Sequence, residues 1–325
     1  MSIIEKPLVS ILCLSYNHQK YIRQCLDSLL LQETQFDYEI IVNDDSSTDG
    51  TVEILKEYEQ KYKKKLKVIY HNQNQYSIKK NTPLINLFEA ANGIYFAFCE
   101  CDDFWNDSSK LQKQIYYLQI HSDVYAIYHN VNIIDEFGKN TRHKGSFSYK
   151  QEHMCNLNEF TSYGRIAGQL SSLVCRNFWK GLPQDCKNFF QDSVANGDQL
   201  IYITNILSGY VFYMKPKMST YRYIISGGTS WSSVTSSKNL CLFRFASMED
   251  LKRYAYMLCG TGINIDKYLD RVVANAIYIY ITHPNTENLV VVKELISKYK
   301  IQYSTVFRVI KYCLSSLKKH FIKEN

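Results

Sequence analysis

Asn92-Gly93-Ile94-Tyr95-Phe96-Ala97-Phe98-Cys99-Glu100-Cys101-Asp102-Asp103-Phe104-Trp105 is the stretch that decides how this 325-residue chain folds. Asn92-Gly93 stops the helix pattern of Pro83 to Ala91. Ile94 to Cys99 is an apolar run of strand length, and it ends in carboxylates. Acidic groups crowded into four residues repel one another unless something neutralises them. A hard divalent cation does so through oxygen ligands. A cation that also bridges two phosphates stabilises a departing diphosphate. The competing reading is local: Asp102 or Asp103 caps the turn that follows.

Outward from this stretch, strand and helix patterns alternate. Leu8 to Leu14 reads as a strand. Asn17 is placed to cap a helix beginning near Gln19, with Ile22, Leu26, Leu29 and Leu30 on its apolar face. Tyr38 to Val42 is a second strand, ending in the polar turn Asn43 to Gly50. Thr51 to Tyr62 is helical, Leu66 to Tyr70 a strand, Lys110 to His121 a helix and Val124 to His129 a strand. This order predicts a mainly parallel sheet flanked by helices. In such sheets ligands sit at the carboxyl ends of the strands. The clusters Asn43-Asp44-Asp45 and Glu100 to Asp103 both fall there. Past residue 135 the pattern weakens. Leu170 to Cys175 and Tyr210 to Met214 read as strands, and Gly197 to Leu207 as a helix. Helices dominate from about Asn239, so residues 1–235 are expected as one domain and 236–325 as a helical extension.

Composition removes several classes. With 46% hydrophobic residues, a chain of this length buries enough surface to exclude intrinsic disorder. No GxGxxG follows the first strand and no P-loop occurs, which speaks against dinucleotide or ATP chemistry. The ten cysteines include no CxxC pair and sit singly in apolar runs, as buried free thiols do. No signal-peptide pattern opens the chain, and the longest apolar stretches are about half the ~20 residues a membrane span needs. A cytoplasmic protein is expected. Between Lys293 and Asn325, eight basic residues face two acidic ones, so this tail holds +6 of the net +7. The body is therefore no polyanion binder, and nucleic acid is not an expected partner.

Two segments resemble the family 2 glycosyltransferases. Glu39-Ile40-Ile41-Val42-Asn43-Asp44-Asp45-Ser46-Ser47-Thr48-Asp49-Gly50-Thr51 is similar to that family's second-strand signature. The stretch from Asn92 to Trp105, followed by Lys110-Leu111-Gln112-Lys113-Gln114, is similar to its DxD segment. Pro7 to Asn17 resembles its opening strand, and Gly197-Asp198-Gln199-Leu200 and Tyr221-Arg222 match more loosely. The resemblance implies an α/β GT-A fold, Rossmann-like, with a C-terminal helical subdomain. It implies an inverting, hexosyltransferase-type transfer from a UDP-sugar, with Mn2+ or Mg2+ as cofactor. Carried over by position, Asp45 contacts the uracil beside Asp44, and Ser15, Tyr16 and Asn17 line the base and ribose. Glu100 and Asp102 hold the metal and donor, and Asp198 is the catalytic base. Three departures stand out. Glu100 replaces the usual Asp. Lys79 and Lys80 are the candidates for a diphosphate-binding cation. Ile224 and Ile225 occupy the place of a common His.

Other features have plainer readings beside the functional ones. The eight histidines show no HxH or HxxxH pattern and read as surface or core residues. Trp105 and Trp231 are acceptor-stacking candidates against core packing. Asp192 competes with Asp198 as base. Tyr303, Val306, Phe307, Ile310, Cys313, Leu314, Leu317 and Phe321 recur at helical spacing opposite basic residues. Such a helix lies on an anionic membrane or packs on its own domain. The expected partners are thus a UDP-sugar donor, a glycan or lipid-linked glycan acceptor of bacterial surface polysaccharide or glycoprotein synthesis, and peripherally the inner face of the cell membrane. The rival readings are a non-catalytic nucleotide-sugar-binding subunit and a nucleotidyltransferase.

Overall fold

Side-chain alternation along the first strands sorts the molecule into layers. In β1 (Val9–Ser15), Val9, Ile11 and Cys13 face one core and Leu12 the other. β2 (Tyr38–Asp44) splits in the same way, with Ile40 and Val42 opposite Ile41. The computed structural model describes residues 6–141, 149–224, 239–299 and Ile310. Within it, β3 (Leu66–Tyr70) and β4 (Tyr95–Phe98) complete the parallel order β3-β2-β1-β4. Helices α1 (Ile22–Leu30), α2 (Thr51–Lys61) and α5 (Lys110–Ile120) bury one face. On the other face lie α4 (Thr82–Ala90) and α8 (Gly197–Ser208), with Phe88 packed 5.4 Å from Phe96 and 5.0 Å from Trp179 between ring centroids. Gly93 permits the close approach of β4 to β1. A Cβ there would lie 2.5 Å from the Ser10 nitrogen.

The second half of the sheet departs from the parallel expectation. β8 (Val174–Arg176) runs antiparallel to both β4 and β6 (Val124–Ile134). β6 is parallel to β9 (Tyr210–Arg222), against which β5 (Phe104–Trp105) and β7 (His153–Cys155) run antiparallel. The strand expected over Leu170 to Cys175 resolves into a 3-10 turn, Leu170–Ser172, and the three-residue β8. Three residues are too few to show a period. Asn17 is not a helix cap. α1 begins at Ile22, and Asn17 takes a left-handed φ of 56°.

The helices of the C-terminal part, α9 (Cys241–Cys259), α10 (Asp266–Thr282) and α11 (Thr286–Lys298), share the second core with α8, α6 (Leu157–Tyr163) and α7 (Gln184–Asp192). Tyr254 of α9 stacks on Phe189 of α7 at 5.7 Å. No described helix is long and apolar enough to cross a membrane. Of the nine described cysteines, all free, eight are buried and Cys259 is exposed. The boundary expected near residue 235, Trp231, and all of the basic pattern from Tyr303 to Phe321 except Ile310 lie outside the described residues.

Candidate functional site

The carboxyl ends of β1 and β2 are built by their own polar side chains. Asn17 and Ser46 both sit at positive φ, 56° and 64°, where short polar residues are the tolerated ones. The Thr48 N–H donates to Asn17 Oδ1 at 2.8 Å, and the Asn17 N–H donates to Ser47 Oγ at 2.9 Å. Asp44 accepts from the Ser47 N–H at 3.0 Å and from its hydroxyl at 2.6 Å. Burial pushes the Asp44 carboxyl up despite those two bonds. Asp44 and Ser15 face each other in register and are buried, as Asp45 is. Tyr16 and Asn17 remain half-buried at the edge.

Asp45 organises the next wall. Its carboxylate accepts the N–H groups of Gln75 at 2.6 Å and Tyr76 at 3.0 Å. These bonds anchor α3 (Gln75–Ile78) and leave each oxygen one further lone pair. Tyr76 is thereby held half-exposed at the edge. Burial, then Asp198 and Glu100, push its phenol up.

The acidic side chains meet at this edge. Burial first, then the charges of Asp102 and Asp198, push Glu100 up to about 8. Asp198 opens α8 beside a capping box between Asn196 and Gln199, and the Gln199 N–H donates to its Oδ1 at 2.8 Å. Burial pushes Asp198 up, against the Gln199 bond and Lys80. Gly197 lets α8 lie close to α4, since a Cβ would come within 2.6 Å of Leu84 Cδ2. Lys80 is lowered to about 8 by burial, with Asp198 opposing. It bonds to Asn196 Oδ1 and donates to the Val194 carbonyl at 3.2 Å. His18 follows the β1 turn. Burial works against its charge, yet Asp102, Cys101 and Glu100 raise it to about 9.

Several expected roles are redistributed. Asp103 is neither ligand nor cap. It is buried, takes the Ser171 hydroxyl, and accepts the Arg222 N–H at 2.8 Å. Arg222 also donates from Nε to the Asp102 carbonyl at 2.9 Å and lies over the Tyr21 ring at 4.4 Å. The end of β9 thus fixes the backbone that carries Asp102. Trp105 is 3% exposed, with its indole N–H on the Ser171 carbonyl at 3.0 Å. The core claims it, and no face is open to an acceptor. Lys79 is turned to Asp192 in an exposed pair at 2.8 Å, so the competing base is engaged at the surface.

His18 and Tyr76 are the site residues that sequence reasoning passed over. For His18 a signal existed: it directly follows Ser15 to Asn17 at a strand's carboxyl end. Tyr76 had none, because a four-residue helix shows no period. The donor set suits a hard cation, since Glu100 and Asp102 offer only carboxylate oxygens at a place where like charges already raise Glu100. Together with Asp198 they do not bring three ligand atoms within 4.8 Å.

A parallel half-sheet with carboxylates at its strand ends, continued by antiparallel strands and lacking a glycine-rich phosphate loop, fits the GT-A class of α/β proteins. The model of the family described as glycosyl transferase family 2 matches residues 10–177, and the chain belongs to that family. An uncharacterized protein of Mycobacterium bovis is 30% identical over 214 residues, 66% of this chain and 58% of its own length. The chain therefore spans less than two thirds of that relative. The Bacillus subtilis protein named TuaG, for teichuronic acid biosynthesis, is 38% identical over 122 residues, 37% of this chain and 46% of its own. Among solved structures, S. aureus TarS in complex with UDP-GlcNAc superposes with a TM-score of 0.61 at 17% identity, over 89% of this chain and 80% of that one. The Pyrobaculum calidifontis mannosyltransferase PcManGT, in complex with GDP-Man and Mn2+, gives 0.50 at 13% identity, over 99% and 89%. At these identities the two structures speak to the fold.

Proposed function

We propose that this chain transfers a sugar, with inversion, from a UDP-sugar to a hydroxyl of a glycan or lipid-linked glycan in bacterial surface polysaccharide synthesis. The observation that carries the reading is the gathering of Glu100, Asp102 and Asp198 at one edge, from β4's end and α8's start, where burial first and then the charges of Asp102 and Asp198 push Glu100 up to about 8. Such crowding suits a site that takes a cation with its diphosphate. TarS with UDP-GlcNAc supports a UDP-linked donor, and the relative named for teichuronic acid synthesis supports the acceptor class.

In this reading Asp45 uses its remaining lone pairs on the uracil, beside Tyr16 and Asn17. Glu100 and Asp102 would hold Mn2+ or Mg2+, which when bound supplies positive charge to the diphosphate. Lys80 adds a second positive group near the same place. Asp198 takes the proton from the acceptor hydroxyl as its oxygen bonds to the anomeric carbon. The sugar–phosphate bond breaks on the opposite face and its electrons leave with UDP. Base assistance of this kind contributes about a hundred- to ten-thousand-fold. Tyr76 offers its ring to the sugar or base.

The test is to supply UDP-sugars with Mn2+ and measure what is released. UDP release supports the transferase. Inorganic diphosphate release from UTP and a sugar 1-phosphate, with no UDP release from UDP-sugars, would mean a nucleotidyltransferase, and tight donor binding without release would mean a binding subunit.

A further inference from the structure

A second constellation lies on elements that contribute nothing to the acidic edge. His153 and Cys155 stand two apart on β7, so both project to the same side of the strand. Asn156 caps α6, accepting the Glu159 N–H at 3.1 Å, and this folds Glu159 back over β7. His153 Nε2 then lies 3.1 and 3.2 Å from the two Glu159 carboxylate oxygens. One nitrogen, one sulfur and one oxygen, from His153, Cys155 and Glu159, fall within 4.8 Å of one another. Outside this trio, the Tyr149 hydroxyl is 3.1 Å from Glu159 Oε2, and the Tyr149 ring stacks on the His153 ring at 4.6 Å. Partners of this kind orient the imidazole and carboxylate of a metal site.

An ion pair between His153 and Glu159 would account for two of the three groups. It leaves aside Cys155, which is 4% exposed, interacts with Tyr149 and places its sulfur within 4.8 Å of both other donor atoms. The donor set separates this place from the acidic edge. Magnesium, calcium and manganese favour oxygen, whereas zinc takes sulfur, nitrogen and carboxylate oxygen together, in tetrahedral geometry. The His153 side chain is 34% exposed, which gives an ion a route in.

We propose that His153, Cys155 and Glu159 bind a Zn2+ ion that fastens α6 to β7. The fourth position is left to water or the Tyr149 hydroxyl. On binding, the Cys155 S–H bond breaks, its proton passes to solvent, and a sulfur–zinc bond forms with no change of oxidation state. The role is structural: β7 pairs with β9, and α6 packs against α10, so the ion ties the edge of the sheet to the C-terminal helices.

The experiment uses the full chain, stripped of metal by a chelator and titrated with Zn2+ and with Co2+ as its coloured substitute. The expected result is saturation at one equivalent, a higher melting temperature with Zn2+, and a thiolate-to-cobalt charge-transfer band. Cys155→Ser abolishes the band, and Cys259→Ser, at the exposed thiol, keeps it. UDP affinity in Mn2+ is the same in wild type and Cys155→Ser, so failure here is separable from failure of the donor site. If Cys155→Ser does not fold, His153→Ala decides, and it should weaken Zn2+ binding many-fold. No saturable band, a band that survives Cys155→Ser, or unchanged Zn2+ affinity in His153→Ala would overturn the proposal.

Discussion

Asp102 and Asp103 are neighbours with opposite tasks. Asp103 turns inward to Ser171 and the Arg222 N–H, while Asp102 stays at the edge, where its charge acts on Glu100 and His18. Asp103→Ala should therefore destabilise by about 1–3 kcal/mol, because it strands two buried donors. Asp102→Ala should leave the melting temperature near wild type and remove metal-dependent UDP binding. Thermal melts and UDP titrations of the two variants check this, and the reverse pattern would exchange their roles. Asp198→Asn is nearly isosteric but takes no proton. It should lower turnover by about two to four orders of magnitude and leave UDP affinity within a few-fold. Asp192→Asn breaks only an exposed pair with Lys79, worth about 0–1 kcal/mol, and should keep its rate. If instead Asp192→Asn is inactive and Asp198→Asn is not, the base is Asp192. Spacing along the chain brought all these carboxylates into view, but which of them turns inward depends on partners such as Ser171 and Arg222, more than sixty residues away in sequence.

At the scale of elements, legibility follows length and period. β1 to β4 and the helices α1, α2 and α4 between them carry apolar runs that the structure reproduces within two residues or so, apart from the start of α1. β5, β7, β8 and α3 have two to four residues each and leave no pattern to read. The start of α5 adds a case that composition hides. Lys110 is fully buried, its ammonium 3.8 Å from the Trp105 ring centroid. Burial lowers it to about 7. Above that pH the folded state has released this proton while the unfolded chain holds it up to about 10.4. The unfolded state then binds more protons, so this group makes stability rise as pH goes from about 7 to about 10. Lys110→Met should flatten that rise and be more stable than wild type at pH 6. Melting curves across the window check it, and a parallel offset at every pH would contradict it.

For the whole molecule, the charge is concentrated near one end of the chain. The eight basic residues between Lys293 and Asn325 hold +6 of the net +7, and each is worth about 1 kcal/mol near an anionic leaflet. The full chain should co-sediment with anionic vesicles, less so as salt rises, and not with neutral ones. Equal, salt-insensitive partitioning would favour a helix packed on its own domain. The proposed function requires the acidic edge to receive a cation together with a nucleotide diphosphate. Calorimetric titration of UDP into the full chain, once with Mn2+ and once with EDTA, tests it most directly. The account predicts saturable one-to-one binding with Mn2+ that weakens many-fold in EDTA. Equal affinity in the two conditions, or no binding in either, would contradict it.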